Sequence, residues 1–212
     1  MPRSADMADK IDFVKVYKEA YSRKKTPQIF HMPALHYLAI EGKSAPESEA
    51  FQQGVAALYG TAYPVKMTWI KQGGRDYKIA PMEAQWWTED SSVTWEFAEL
   101  PREKWCWRIL IPLPDFVSEE FITGVVEEKR RKGTDAPIKQ VRHIRQDEGM
   151  VVQCLHLGPY SEETTTIRLM WEYAKENGFE FTGRHREIYL SDPRRTAPEN
   201  LKTILRHPVT RG

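Results

Sequence analysis

The chain has 212 residues, 41% of them hydrophobic, and a formal net charge of +1 at pH 7. That length suits one large domain or two small ones, and the balanced charge leaves no electrostatic footprint for nucleic acid or an anionic membrane surface. The opening stretch, MPRSADMADKID, is polar, so neither a secretory signal nor a membrane span is expected and the cytoplasm is the expected compartment.

In chain order, residues 1–10 read as disordered and 11–25 as a short amphipathic helix or extended arm. ALHYLAIEG (34–42) predicts a strand. Pro46, with Glu47 and Glu49 in the first turn, opens a helix. Phe51, Val55 and Leu58 carry it at helical spacing, and Gly60 stops it. A second helix is expected after Pro64, with Met67 and Ile70 inward and an end at Gly73 and Gly74. Residues 76–87 read as a strand, and Pro81 within it implies an edge position or a bulge. Residues 104–113 predict another strand. Ser118 then caps a helix through Lys132, whose basic last turn complements the helix dipole. MVVQCLHLG (150–158) predicts a strand. Residues 161–163 start a helix that carries Ile167, Met170, Trp171 and Ala174 on one face and ends at Gly178. GRHREIYLSDPRR (183–195) reads as a strand running into a turn, and a last strand falls near 203–209. Cys106 and Cys154 sit in apolar runs and read as buried free thiols.

This order contains a repeat: strand, helix, strand, strand occurs twice. An apolar strand ends at Gly42 or Gly158 and an acidic helix start follows. Later each unit has a strand with a central glutamate, PMEAQWW and REIYLSD. With an extra helix filling the longer first interval, Glu83 and Glu187 take equivalent places. The expectation is an α+β fold of tandem βαββ repeats with pseudo-twofold symmetry. Its antiparallel sheet carries helices on one face and a ligand cleft on the other, where the two glutamates and neighbouring aromatics converge. Seven tryptophans, nine tyrosines and eight phenylalanines give that cleft the material for an aromatic cage.

Alternation puts His185, Glu187 and Tyr189 on one strand face. A carboxylate among rings is desolvated, which raises its pKa and suits it to act as a general base on water. Left charged, it attracts cations, to which the rings add cation–π attraction. The ordinary role of such a glutamate is an ion pair, for Glu187 with Arg184 or Arg186 and for Glu83 with Lys66, Lys71 or Lys78. Simple alternation groups Gln85 and Trp87 with Glu83, but a bulge reverses this, so Trp86 and Trp87 both stand as cleft residues. Trp105 and Trp107 share a face, one as core and one as cleft wall, with Trp107 the candidate. Tyr160 follows Gly158 and Pro159 and is placed as a rim or lid. The six histidines show no metal-ligand spacing, and neither a glycine-rich phosphate loop nor a nucleophile elbow occurs, so no metal and no cofactor is expected.

PMEAQWW together with EIYLSDPRRTAPENLKTILRHPV resembles the GyrI-like small-molecule-binding family, which also supplies the effector domain of BmrR-type multidrug regulators. The second motif looks like that of a stand-alone subfamily that includes cyclopropanoid cyclopropyl hydrolases. The likeness divides the chain into an N-terminal arm (1–30) and a GyrI-like domain (31–209). Within that domain, repeat one spans 34–113, a connecting helix 118–132 and repeat two 150–209. It implies two βαββ units around a cleft that binds planar hydrophobic or cationic small molecules, with Glu187 as the functional carboxylate. The implied activity is xenobiotic detoxification by opening the cyclopropane of DNA-alkylating natural products. Glu83 or Tyr189 would position the water, and His185, Trp86, Trp87, Trp107 and Tyr160 would contact the substrate. The alternative is a non-catalytic drug sensor or scavenger. About 30 residues precede the first strand, too few for the helix-turn-helix of a regulator, so nucleic acid is not an expected partner.

Overall fold

Among the described residues, nine strands hydrogen-bond in antiparallel pairs, in the order β1-β6-β9-β8-β3-β4-β2-β5, with β7 against the far end of β9. They are β1 (Gln28–Met32), β2 (Leu35–Lys43), β3 (Glu83–Trp87), β4 (Cys106–Leu113), β5 (Arg142–Gln146), β6 (Gly149–Leu157), β7 (Phe179–Phe181), β8 (His185–Tyr189) and β9 (Lys202–Arg211). The helices are α1 (Phe13–Val16), α2 (Glu49–Lys71), α3 (Glu119–Lys132) and α4 (Glu163–Glu176). This computed structural model describes residues 10–89, 100–132 and 137–212. The expected disorder of the first residues, all but Lys10, falls outside the described residues, as does Trp95.

The βαββ repeat is plain in the sheet order. Units β2-α2-β3-β4 and β6-α4-β8-β9 meet at the β3–β8 pair, and the strand order reads symmetrically outward from that seam. β1, β5 and β7 are additions that the sequence reading did not mark.

Helices α2, α3 and α4 cover one face. Leu58, Ala62 and Val65 of α2 and Ile122 and Val126 of α3 pack over Leu38, Ile40, Ala84, Trp86, Ile109 and Ile111. Ile167, Met170 and Ala174 of α4 pack over Val152, Cys154 and Leu205. Trp171 is half-buried, with the Lys175 ammonium over its ring at 4.3 Å. The other face is covered by the N-terminal segment: Phe13, Ala20 and Tyr21 lie on Tyr37, Leu110, Ile188 and Ile204.

Two local signals are overridden. The helix expected to stop at Gly60 and restart after Pro64 is one uninterrupted helix, α2, capped at its start by the Ser48 hydroxyl accepting from the Phe51 N–H at 3.2 Å. Its buried stripe, Phe51, Gly54, Ala57, Leu58, Thr61, Ala62 and Val65, runs straight through both positions. Burial of its larger apolar members, about 1.5–3 kcal/mol each, outweighs a proline cost of about 3 kcal/mol. Met67 consequently points outward, at 49% exposure, not inward as expected. The strand expected over 76–87 begins only at Glu83, past Pro81, and sits between β4 and β8 at the middle of the sheet, not at its edge. Both cysteines are buried and free, as expected. No helix among the described residues is long and apolar enough to cross a membrane.

Candidate active site on the helix-bearing face

The β3–β8 register decides which side chains meet. Glu83 lies opposite Ile188, Ala84 opposite Glu187, Gln85 opposite Arg186 and Trp86 opposite His185. Directly opposed residues share a face, and neighbours along a strand alternate. Glu187, His185 and Tyr189 therefore share the helix-bearing face with Ala84 and Trp86, while Glu83, Gln85 and Trp87 share the opposite face with Arg186 and Ile188.

Glu187 is nearly enclosed, its side chain 12% exposed. The Tyr189 hydroxyl donates to Glu187 Oε2 at 2.7 Å, and the Trp86 indole N–H donates to the Tyr189 oxygen at 3.3 Å while also reaching Glu187. His185 Nε2 stands 3.8 Å from Glu187 Oε1. Tyr160, in the turn before α4, sets its ring edge-on against Tyr189 at 5.9 Å and is 38% exposed, at the outer margin of the cluster. Behind Trp86, Phe51 of α2 stacks at 5.3 Å and Trp105 closes edge-on at 5.7 Å.

The sequence reading did not single out one polar neighbour of Glu187. Glu163, the first residue of α4, is buried; its carboxyl stands within 4.8 Å of Glu187 beside Thr203 of β9, and its Oε1 has no hydrogen-bond partner. Acidic residues are favoured at helix N-termini for dipole reasons alone, so nothing in its sequence position marks it out. His207 of β9, stacked on Phe181 at 4.1 Å, stands behind His185 with ring centroids 6.0 Å apart.

The electrostatics follow from dryness. Burial raises Glu187 to about 7, against donors that favour its charged form, and raises Glu163 well above the carboxylate range. Burial and the neighbouring His207 push His185 down to about 3, so its imidazole is neutral. Burial likewise lowers His207 to about 4. Tyr160 is raised to about 12, by burial first and then by the Glu187 charge. Such a cluster can exchange a proton near neutrality at Glu187. Glu163, His185 and Glu187 each bring a donor atom within 4.8 Å of the others, the chemistry of a cation site that residue spacing did not reveal. Glu187 already accepts from the Tyr189 hydroxyl, and the arrangement is that of an acid pair beside a neutral imidazole.

The structure therefore brings Glu187, His185, Tyr189, Trp86 and Tyr160 together and separates three other candidates from them. Glu83 does not converge with Glu187. It is buried on the opposite face, paired with Arg186 and accepting from the Tyr21 hydroxyl at 3.2 Å. The two glutamates are not equivalent, because a twofold axis normal to the sheet keeps each face, and an offset of one residue along a strand reverses it. The cluster also lies on the helix-bearing face, whereas the cleft was expected opposite the helices. Trp87 points away from Glu187, its ring beneath the Arg184 guanidinium at 3.5 Å. Trp107 is buried core. Its indole N–H donates to the Ser44 hydroxyl at 3.0 Å, and its ring occupies space that a Cβ at Gly42 or Gly54 would invade, at 2.2 and 2.9 Å.

A family model described as a GyrI-like small molecule binding domain matches residues 106–210. An uncharacterized conserved protein from Listeria innocua is 37% identical and superposes with a TM-score of 0.84, over 95% of this chain and 100% of that one. The chain belongs to the GyrI-like family. Two further Listeria innocua structures, described as hydrolases, are similar to this GyrI-like protein at 36% and 35% identity. Their TM-scores are 0.81 and 0.82, each over 95% of this chain and 100% of that one. The EcmrR C-terminal domain shares the GyrI-like fold at 11% identity, with a TM-score of 0.52 over 88% of this chain and 98% of that one. No curated protein matches the chain. The GyrI-like match holds Glu163, His185, Glu187 and Tyr189, while Trp86 lies outside it.

Proposed function

We propose that this GyrI-like protein is a cofactor-independent hydrolase of planar hydrophobic xenobiotics, and that it opens the cyclopropane of DNA-alkylating cyclopropanoid natural products in the cytoplasm. The observation that carries this reading is the burial of Glu187 among Tyr189, Trp86 and His185, where its proton affinity lies near neutrality. Ring strain and a conjugated carbonyl make the cyclopropane carbon electrophilic, so the protein needs only to hold the substrate and present a water. Tyr160 and Tyr189 offer rings to a flat substrate, with Trp86 buried behind them. Glu187 takes a proton from the water as its oxygen bonds to the ring carbon. The cleaved carbon–carbon pair passes into the conjugated system, whose carbonyl oxygen is then protonated from solvent. The hydrolase description of two relatives supports this direction.

The test is incubation with a cyclopropane-bearing alkylator, following ring opening by absorbance and the gain of one water by mass. Glu187→Gln is expected to lower turnover by about 100-fold or more, the usual contribution of a positioned general base. Equal rates for the two proteins would remove the assignment. Tight binding of unchanged compound without turnover by the wild type would put a sensor or scavenger in its place.

A further inference from the structure

We infer that Glu163 is the positioning partner of Glu187, a neutral carboxylic acid whose hydroxyl donates to the Glu187 carboxylate and keeps Glu187 the ionised member of the pair. This rests on the reading of Glu187 as the working carboxylate, but the geometry that carries it is independent of any substrate. Two carboxyls can hydrogen-bond each other only if one holds a proton. Glu163 and Glu187 bring carboxyl oxygens within 4.8 Å of each other from different elements, the first turn of α4 and the middle of β8.

The surroundings supply no counter-charge. From β8 the pair meets His185, held neutral, and the Tyr189 hydroxyl. From β9 it meets Thr203, with the neutral His207 behind His185. From the turn before α4 it faces Tyr160, which also feels Asp192 in the loop after β8. From α2 comes Tyr59, packed with Tyr189 against the same core cluster. From β3 comes the uncharged Trp86. Among the described residues no lysine or arginine pairs with either carboxyl. Two bare carboxylates in this setting would repel without compensation, so the pair keeps one proton. The donors decide where it sits. Glu187 accepts from the Tyr189 hydroxyl at 2.7 Å, while the buried Glu163 Oε1 has no hydrogen-bond donor, so the negative charge is better placed on Glu187.

Glu163→Gln keeps a donor toward Glu187 and an acceptor for Thr203, whereas Glu163→Leu removes both. The first readout is substrate-free: NMR of glutamate side-chain carboxyl carbons, or carboxyl infrared bands, across pH. We expect a carboxyl that stays protonated above pH 7 in the wild type and is absent from Glu163→Gln. Glu187 should titrate as in the wild type in Glu163→Gln and about one unit or more higher in Glu163→Leu. The second readout is the pH dependence of cyclopropanoid opening. Its acid limb should be unchanged in Glu163→Gln and displaced upward by the same amount in Glu163→Leu, lowering the rate near neutrality about tenfold. An ionised Glu163 at pH 7, or identical Glu187 titrations in wild type and both variants, would overturn the inference. Should Glu163→Leu fail to fold, the difference between wild type and Glu163→Gln still decides whether Glu163 holds the proton. Should no compound be turned over, the titration stands and the hydrolase reading alone falls.

Discussion

Glu83 and Glu187 are both enclosed side chains of the central β3–β8 pair, and they end as opposite kinds of carboxylate. On the outer face Glu83 belongs to a charge-balanced network: Arg186 pairs with Glu83 and, at 3.0 Å, with Glu148, and Arg206 pairs with Glu148 at 3.4 Å and donates to the Ala20 carbonyl at 2.6 Å. On the helix face Glu187 meets hydroxyl, indole and a neutral imidazole, and a second acid, Glu163, stands beside it. Burial alone therefore does not make a carboxylate chemically available; burial without a matched cation does. Glu83 is committed to holding the N-terminal segment against the sheet. Glu187 keeps its proton affinity near neutrality because burial raises it and no cation draws it back down.

The strongest way to break this comparison is to strip the outer face of its counter-charge. Arg186→Met should lower unfolding free energy by about 3–5 kcal/mol, because Glu83 and part of Glu148 are left buried without a partner. Urea denaturation measures it. A loss below about 1 kcal/mol would mean that Glu83 reaches water and is not the committed partner of an ion pair.

The helix face should respond with the opposite sign and a smaller size. Glu187 is raised from 4.5 to about 7 on folding. Below pH 4.5 folded and unfolded chains both hold the proton. Between 4.5 and about 7 the unfolded chain has released it and the folded chain has not, so folding weakens as pH climbs and remains weaker above that window. Glu187→Gln removes this term, and should be more stable than wild type at pH 8 by on the order of 3 kcal/mol, with the advantage shrinking toward pH 4. His185 and His207 act against this trend in the wild type. Their lowered values give stability that is lost as pH falls below 6.5 toward 3–4. Unfolding curves of the variant and wild type across pH 4–8 separate the two contributions. An advantage that grows as pH falls would show that Glu187 is a stabilising anion.

The comparison also marks where sequence reading ends. Strand period made the association of Glu187 with His185 and Tyr189 legible, since alternation depends only on β8 itself. The equivalence of Glu83 failed because it joined two strands by motif resemblance, and in a sheet an error of one residue exchanges faces. Trp86 and Trp87 could be separated only by the ladder with β8, which no local pattern contains. Gly60 and Pro64 read as breaks because their cost is local, while the packing that overrides it comes from β2, β4 and α3. Glu163 was hidden for a different reason: its position has an ordinary electrostatic explanation, and its second role exists only when α4 is laid beside β8 and β9.

The smallest test sharpens the face assignment through the adjacent tryptophans. Trp87 carries the Arg184 guanidinium 3.5 Å above its ring on the outer face, so Trp87→Leu should cost about 0.5–1 kcal/mol of stability, the range of a partly solvated cation–π contact. It should leave the Glu187 titration and the binding of flat compounds unchanged, because its side chain is directed away from that carboxyl. Trp86→Leu, by contrast, removes the indole N–H that bonds Tyr189 and reaches Glu187, together with the ring stacked on Phe51. Ligand affinity measured by tryptophan-independent calorimetry should therefore fall in Trp86→Leu alone. Equal loss in both variants would require the two faces of β3 to contribute to one binding surface, which the β3–β8 register forbids unless the ligand also displaces the strand.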